Sequence, residues 1–446
     1  MTAVVGILNK RGVAIAADSA VTRRGNKANG LYSVEKVTKN GDKMVRLSDV
    51  DPITVMLTGN AEFLSVPWEV IARRYRQQRG KIHHSTVEEL ARDFFDYIAD
   101  TSVFWCGEVC DRFLKSLAKK VFDKAGHELS QSDDNERKKD GSLIRPATFR
   151  KKFISNLRNV AREYSKQGHC PQFEGYTIEE FRKSSSDILD SFFNEKTVDP
   201  HLPLFRYHYP KDVLDAVRPF FEEALLTVLG SRTDYDDSAT LVFTGYGKDQ
   251  KYPSLVSAEV GEGYDCRVNY TIDPKDIICI SDKKPVAICP FAQADVIKSL
   301  IGGIYEDWLE KTASLKYITN PYFSDVFDID PLSKRTDFEF MKLLEYCNLD
   351  CEDLHKKFKK ELLRMVDANW REWQKALERY DLEEMATLAD SLISLTGFHR
   401  ILTFMEEGVG GLVDLAVISR NEGFTWLRRK NWYNEHAGGS NGGFGI

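Results

Sequence analysis

The chain has 446 residues, more than one hydrophobic core usually organises, so it holds either two domains or one core carrying large insertions; the second reading is preferred. With 42% hydrophobic and 29% charged residues and no apolar run near the eighteen or so residues that a membrane span needs, the sequence reads as globular and excludes a membrane-spanning helix. A net charge of -6 argues against a broad nucleic-acid surface, which needs a basic face. The first eight residues are apolar but lack a basic leading region, so they do not read as a signal peptide. Eight cysteines without a tight spacing framework suit reduced, buried thiols. Together these point to the cytoplasm, where the Asn269-Tyr270-Thr271 sequon is a chance match.

The opening predicts a β-hairpin: Thr2 to Leu8 is β-branched and apolar, Asn9-Lys10-Arg11-Gly12 turns, and Val13 to Ala17 returns to end at Asp18-Ser19. A second pair follows, with Lys43 to Leu47 alternating, Asp49-Val50-Asp51-Pro52 turning, and Ile53 to Thr58 running into Gly59. That makes four strands in the first sixty residues. A helix starts near Pro67, with Trp68, Ile71 and Tyr75 along one face and Gly80 as its stop. Ser85-Thr86-Val87-Glu88 reads as a capping box for the next helix, whose Leu90, Phe94 and Ile98 recur at helical spacing. Helix is expected to about Lys124, and the charge-dense residues 125–153 read as an exposed excursion. Strands return at Ala239 to Gly245, Ser254 to Val260 and Ile277 to Ile280. A helical block begins near Ala294, is rich in Lys and Glu from Asp350 to Tyr380, and continues in a helix with Met385, Leu388, Leu392 and Leu395 on one face. Leu412 to Ser419 and Phe424 to Arg428 close the chain as a strand pair across Asn421-Glu422-Gly423, before a Gly-rich tail. Strands and helices segregated in this way fit an α+β domain in which two sheets pack together and helices cover both outer faces.

The candidate chemistry lies in the first sixty residues. A threonine hydroxyl needs a base, and an N-terminal threonine carries its own, because a free α-amine titrates near 7.7 to 8.0 and can take the hydroxyl proton. Thr2 meets this condition once Met1 is removed, which a small second residue favours. Asp18 at a strand end and Lys43 at a strand start supply the charges: a buried, paired lysine stays positive and lowers the pKa of nearby donors. Singly each residue is uninformative; their order and spacing carry the signal.

On these residues the sequence resembles the proteasome β-subunit family of N-terminal-nucleophile hydrolases. Thr2-Ala3-Val4-Val5-Gly6-Ile7 is similar to the family's amino-terminal strand, and Gly12-Val13-Ala14-Ile15-Ala16-Ala17-Asp18-Ser19 to its second strand ending in the catalytic Asp. The resemblance implies that Lys43 is the catalytic lysine, that the Gly59 N–H lines the oxyanion hole, and that the backbone at Thr22 aligns an extended substrate. Ala239 to Val260 is similar to the family's central hairpin, and Gly410 to Ile418 to a strand near its end. It implies a four-layer αββα sandwich whose discontinuous core covers residues 1–80, 236–304 and 381–432, with helical insertions at 81–235 and 305–380 and a flexible tail at 433–446. Where the family has a Gly-Ser-rich loop with an assisting Ser, this chain reads Ala287-Ile288-Cys289-Pro290-Phe291-Ala292-Gln293, so Ala292 stands at that Ser position. Its usual Asp and following Ser align with Glu406 and Val409.

The implied activity is that of a threonine amidohydrolase, a peptidase acting on peptides or unfolded proteins, with no cofactor and with self-association into an oligomer. Any nucleotide dependence would come from a separate ATPase partner, because no G-x-x-x-x-G-K-[ST] loop is present. Two other readings stay open: an inactive scaffold or binding protein on the same fold, and a small-molecule amidase or acylase. Other clusters are set aside. Cys347, Cys351 and His355 share a helical face and Cys106 and Cys110 a second, yet neither has the ligand set of a metal site. Asp234, Asp236 and Asp237 lack the glycine and closing Glu of a calcium loop, and His83-His84 reads as a solvated loop before a helix.

Overall fold

The computed structural model describes residues 3–18, 21–28, 31–38, 42–132, 146–194, 211–232, 238–303, 351–402 and 413–429. The fold is mixed α+β with antiparallel sheets, and the chain divides into two compact units: residues 1–43, 251–253 and 279–446, and residues 44–250 and 254–278. Among the described residues no helix is long and apolar enough to cross a membrane.

The first unit is built on the opening hairpin, β1 (Ala3–Asn9) and β2 (Gly12–Ala17). β1 also pairs with β13 (Val286–Ala292), and β2 with β14 (Asp414–Ser419), which in turn pairs with β15 (Gly423–Arg428), giving the antiparallel order β13-β1-β2-β14-β15. Every residue of β1 and β2 is buried, which explains why both read as continuous apolar runs. Among the described residues, three helices, α7 (Asp295–Gly302), α8 (Cys351–Leu377) and α9 (Leu382–Leu402), belong to this unit. Ala3, Val5, Ile7, Ala14 and Ala16 share a core with Leu377, Met385, Ala389, Leu392 and Ile393. The small residues let α9 approach the sheet closely: a Cβ on Gly12 would lie 2.7 Å from Leu382 Cδ2 and 2.3 Å from the Ile418 carbonyl. On α9 the expected stripe is corrected at Leu395, which is 40% exposed; Ile393 and Thr396 are buried instead, because the helix turns Met385, Ala389, Leu392 and Thr396 inward.

Two strands are added to the four expected in the opening segment. β3 (Val21–Ala28) and β4 (Leu31–Thr38) form a two-stranded sheet whose charged sequences, VTRRGNKA and LYSVEKVT, carry little apolar alternation.

The second unit holds the sheet order β11-β10-β9-β6-β5, built from β5 (Met44–Arg46), β6 (Ile53–Gly59), β9 (Ala239–Gly245), β10 (Ser254–Tyr264) and β11 (Arg267–Thr271), with the short β12 (Ile277–Cys279) off that path. A tight hairpin, β7 (Glu62–Phe63) and β8 (Val66–Pro67), leads into α1 (Trp68–Arg79), and α2 (Val87–Asp100) follows. Trp68, Ile71, Tyr75, Leu90, Phe94 and Ile98 are all buried against the sheet, as their spacing predicts. The capping box sits one residue later than expected: Thr86 Oγ1 accepts from the Glu89 N–H at 3.1 Å, and Glu89 Oε2 from the Ser85 N–H at 2.6 Å.

A separate hydrophobic core joins α3 (Gly107–Ser132), α4 (Pro146–Ser165), α5 (Ile178–Asn194) and α6 (Lys211–Leu229), centred on Phe122, Phe153, Phe181 and Phe221. The expectation of an exposed excursion over 125–153 is therefore corrected at both ends, since Ala125 and Phe153 are fully buried; residues 133–145 lie outside the described residues. Charged positions there line the outer faces of amphipathic helices, and the apolar minority makes the core. Helix α2, grouped with the 81–235 insertion in the sequence, packs with α1 on the sheet, so the separate helical core begins at α3.

Candidate active site

Asp18 follows β2 directly, and the hairpin register, with Val4 opposite Ala17, brings it beside Ala3. The Asp18 N–H donates to the Ala3 carbonyl at 3.1 Å, and the Ala3 N–H donates back to Asp18 Oδ1 at 3.0 Å. Lys43, immediately before β5, brings its ammonium to 2.6 Å from the same oxygen. The two side chains are only 5% and 1% exposed. Removing two charges from water costs several kcal/mol per ion, so a buried pair is poor evidence of stability alone. Thr2 itself lies outside the described residues, one peptide bond from the Ala3 amide that Asp18 holds.

The other side of Ala3 is occupied by Ala292, its partner at the end of β13. The stretch compared with a Gly-Ser-rich loop is thus a strand, and its last residue, Ala292, has φ 62°, in the left-handed region that non-glycine residues seldom adopt. The next residue, Gln293, is buried. Sequence reasoning missed Asp414, a carboxylate 2% exposed whose register partner is Ala17, the residue before Asp18. Its signal was there to find: an acid in the otherwise apolar strand LVDLAVIS.

Gly59 ends β6 in the second unit with φ 79°, and a Cβ there would lie 2.4 Å from the Ser238 carbonyl. Only glycine meets both demands without strain. The adjacent Asn60 N–H donates to Ser238 O at 3.0 Å. Thr22 lies in β3, with Val37 of β4 as its register partner. Glu406, Val409, Asp234, Asp236, Asp237 and Cys347 lie outside the described residues.

Among the set-aside clusters, the solvated reading holds for His83, whose side chain is 51% exposed, and is corrected for His84. His84 is 4% exposed, donates its N–H to Asp51 at 2.9 Å and brings Nε2 to 3.3 Å from Asp93, while His83 Nδ1 meets Asp51 at 2.9 Å. Asp51 comes from a turn well before His84 in sequence and Asp93 from the helix that follows it. Cys106 is exposed and Cys110 half-buried, with burial pushing the Cys110 thiol up to about 11; no group of side chains able to hold a metal occurs among the described residues. Asn269 of the sequon is buried and donates to the carbonyls of Leu229 and Ser231.

Comparison with protein-family models and with curated proteins finds no match. Function must therefore be argued from the chain's own residues.

Proposed function

We propose that the protein is an N-terminal threonine amidohydrolase, a proteasome-like peptidase in which Thr2, freed by removal of Met1, forms and releases an acyl-enzyme. The observation that supports this most is the buried Asp18–Lys43 pair bonded to the amide of residue 3. In the proposed chemistry the α-amine of Thr2 takes the proton from its hydroxyl as the oxygen attacks the substrate carbonyl. The Lys43 charge, held by Asp18, keeps that amine neutral near pH 7 by disfavouring its protonated form. The Gly59 N–H stabilises the oxyanion, the leaving amine takes the proton, and water then hydrolyses the ester by the same route in reverse.

The four-layer αββα arrangement belongs to the same proposal, supported by two antiparallel sheets that each carry helices on one face. So do a peptide or unfolded-protein substrate and a homo-oligomer, which rest on the resemblance alone, a separate ATPase partner, which would supply any nucleotide dependence because the chain has no phosphate-binding loop, and a cytoplasmic location, which rests on the leading residues and the cysteine usage.

Intact mass after exposure to a peptide epoxyketone tests the chemistry, because that reagent closes a ring using both the hydroxyl and the free amine of a terminal threonine. A mass lacking Met1 and carrying one adduct, absent in Thr2→Ala, is the expected result. Retained Met1 without adduct would overturn the mechanism and favour the scaffold. Loss of Met1 without adduct would sink the peptidase and leave an amidase whose pocket rejects peptides.

A further inference from the structure

A cavity of about 320 Å³ opens in the second unit between α3 and the turn of the β7–β8 hairpin. It is large enough for a small organic ligand. Two ridges of α3 face it, each with a residue every fourth position: Val109, Phe113 and Leu117 form one, and Arg112, Ser116 and Lys120 the other. The helix therefore presents an apolar floor with a cationic margin.

The opposite wall is Asn60, Leu64 and Ser65, with Glu262 of β10 behind them. Leu64 and Ser65 both have positive φ, 45° and 63°, a strained turn for non-glycine residues. Two contacts hold it: the Leu64 N–H donates to Glu262 Oε2 at 2.7 Å, and Phe63 is buried with its ring 5.4 Å from Trp68 and 5.7 Å from Trp105. Glu262, the acid of the lining, is thus engaged with the wall. Arg112 is exposed and has no hydrogen bond or ion pair among the described residues.

We infer that this cavity binds an amphipathic organic anion: a carboxylate that meets Arg112 and Lys120, on an apolar body of roughly eight to ten carbon atoms that covers Phe113, Leu117 and Leu64. Nothing in this depends on the Thr2 chemistry. The carboxylate could be that of a free acid or of a peptide terminus, and the two are separable by experiment.

Calorimetric titration of the full chain with 4-phenylbutyrate, 4-phenylbutanamide and 4-phenylbutylamine is the test. The acid is expected to bind at least ten-fold tighter than the amide or the amine. Arg112→Gln with Lys120→Gln should weaken it at least five-fold, and Ser116→Trp, which fills the opening, should remove binding. All three substitutions fall on exposed positions of α3, and unchanged thermal melting will verify that the variants fold. Thr2→Ala should bind the acid like the unaltered chain. The same preference for acetyl-Ala-Phe acid over its C-terminal amide would assign a peptide terminus as the source; preference confined to phenylbutyrate would assign a free acid. Equal affinity for acid and amine, no binding of any probe, or binding indifferent to the Arg112/Lys120 and Ser116 substitutions overturns the inference.

Discussion

Breaking the Asp18–Lys43 pair gives the sharpest test of the site's electrostatics. Asp18→Asn keeps an oxygen able to accept the Ala3 N–H but leaves the Lys43 ammonium, 5% exposed, without its counter-charge at 2.6 Å. Lys43→Met leaves the carboxylate in the same position from the other side. Removing one partner of a buried pair costs about 3–5 kcal/mol, because a charge stays behind in a medium that solvates it poorly. The double variant removes both charges of the pair together, and it should cost only about 1–2 kcal/mol for the altered hydrogen bonding. The two substitutions should therefore couple by at least about 4 kcal/mol. Urea unfolding at pH 7, followed by circular dichroism on all four proteins, measures this. Single variants within about 1 kcal/mol of the parent, or a double variant equal to the sum of the singles, would refute a desolvated pair.

Three more predictions concern residues away from the nucleophile. Asn9 is 1% exposed; its amide donates to the carbonyls of Leu377 at 3.0 Å and Tyr380 at 2.9 Å, while its oxygen accepts from the amides of Arg11 and Gly12. Asn9→Ala should lose about 2–4 kcal/mol in urea unfolding, and Asn9→Asp at least as much, since it points a carboxylate at two carbonyls; a loss below about 1 kcal/mol in both would show that these bonds contribute little. At pH 8, iodoacetamide should modify the exposed Cys106 and Cys279 and spare Cys289, whose thiol burial raises from 9.0 to about 12; peptide mass mapping reads the order, and early labelling of Cys289 would contradict its burial. The sign of the linked effect is fixed. Above pH 9 the unfolded chain releases that proton and the folded chain keeps it, so stability falls as pH rises through the window from 9.0 to about 12, a slope that Cys289→Ala should flatten.

The opening hairpin, the strands of residues 239–260 and the closing strand pair were legible because local pattern and burial agree there: apolar runs bounded by turn residues sit in strands with neighbours on both sides. The first two helices were legible for the same reason, their apolar stripes being the faces that α1 and α2 bury. Sequence order and the family resemblance also singled out Asp18, at a strand end, and Lys43, at a strand start, as opposite charges, and the structure pairs them.

What the sequence could not decide was every question of which remote segment completes a local one. β3 and β4 escaped notice because charged strands lack the alternation that marks a half-buried sheet. The β13 segment aligned with a Gly-Ser-rich loop of the resembled family, yet the tertiary structure makes it the neighbour of β1 and sets Ala292 against Ala3. Asp414 became part of the Asp18 neighbourhood only through the register of β14 on β2. His84 is buried where Asp51, from a distant turn, and Asp93, from the following helix, both meet it. Periodicity reports which face of an element is apolar; it carries no information about the partner that covers that face, and the burial and charge of a site are properties of the partner as much as of the residue.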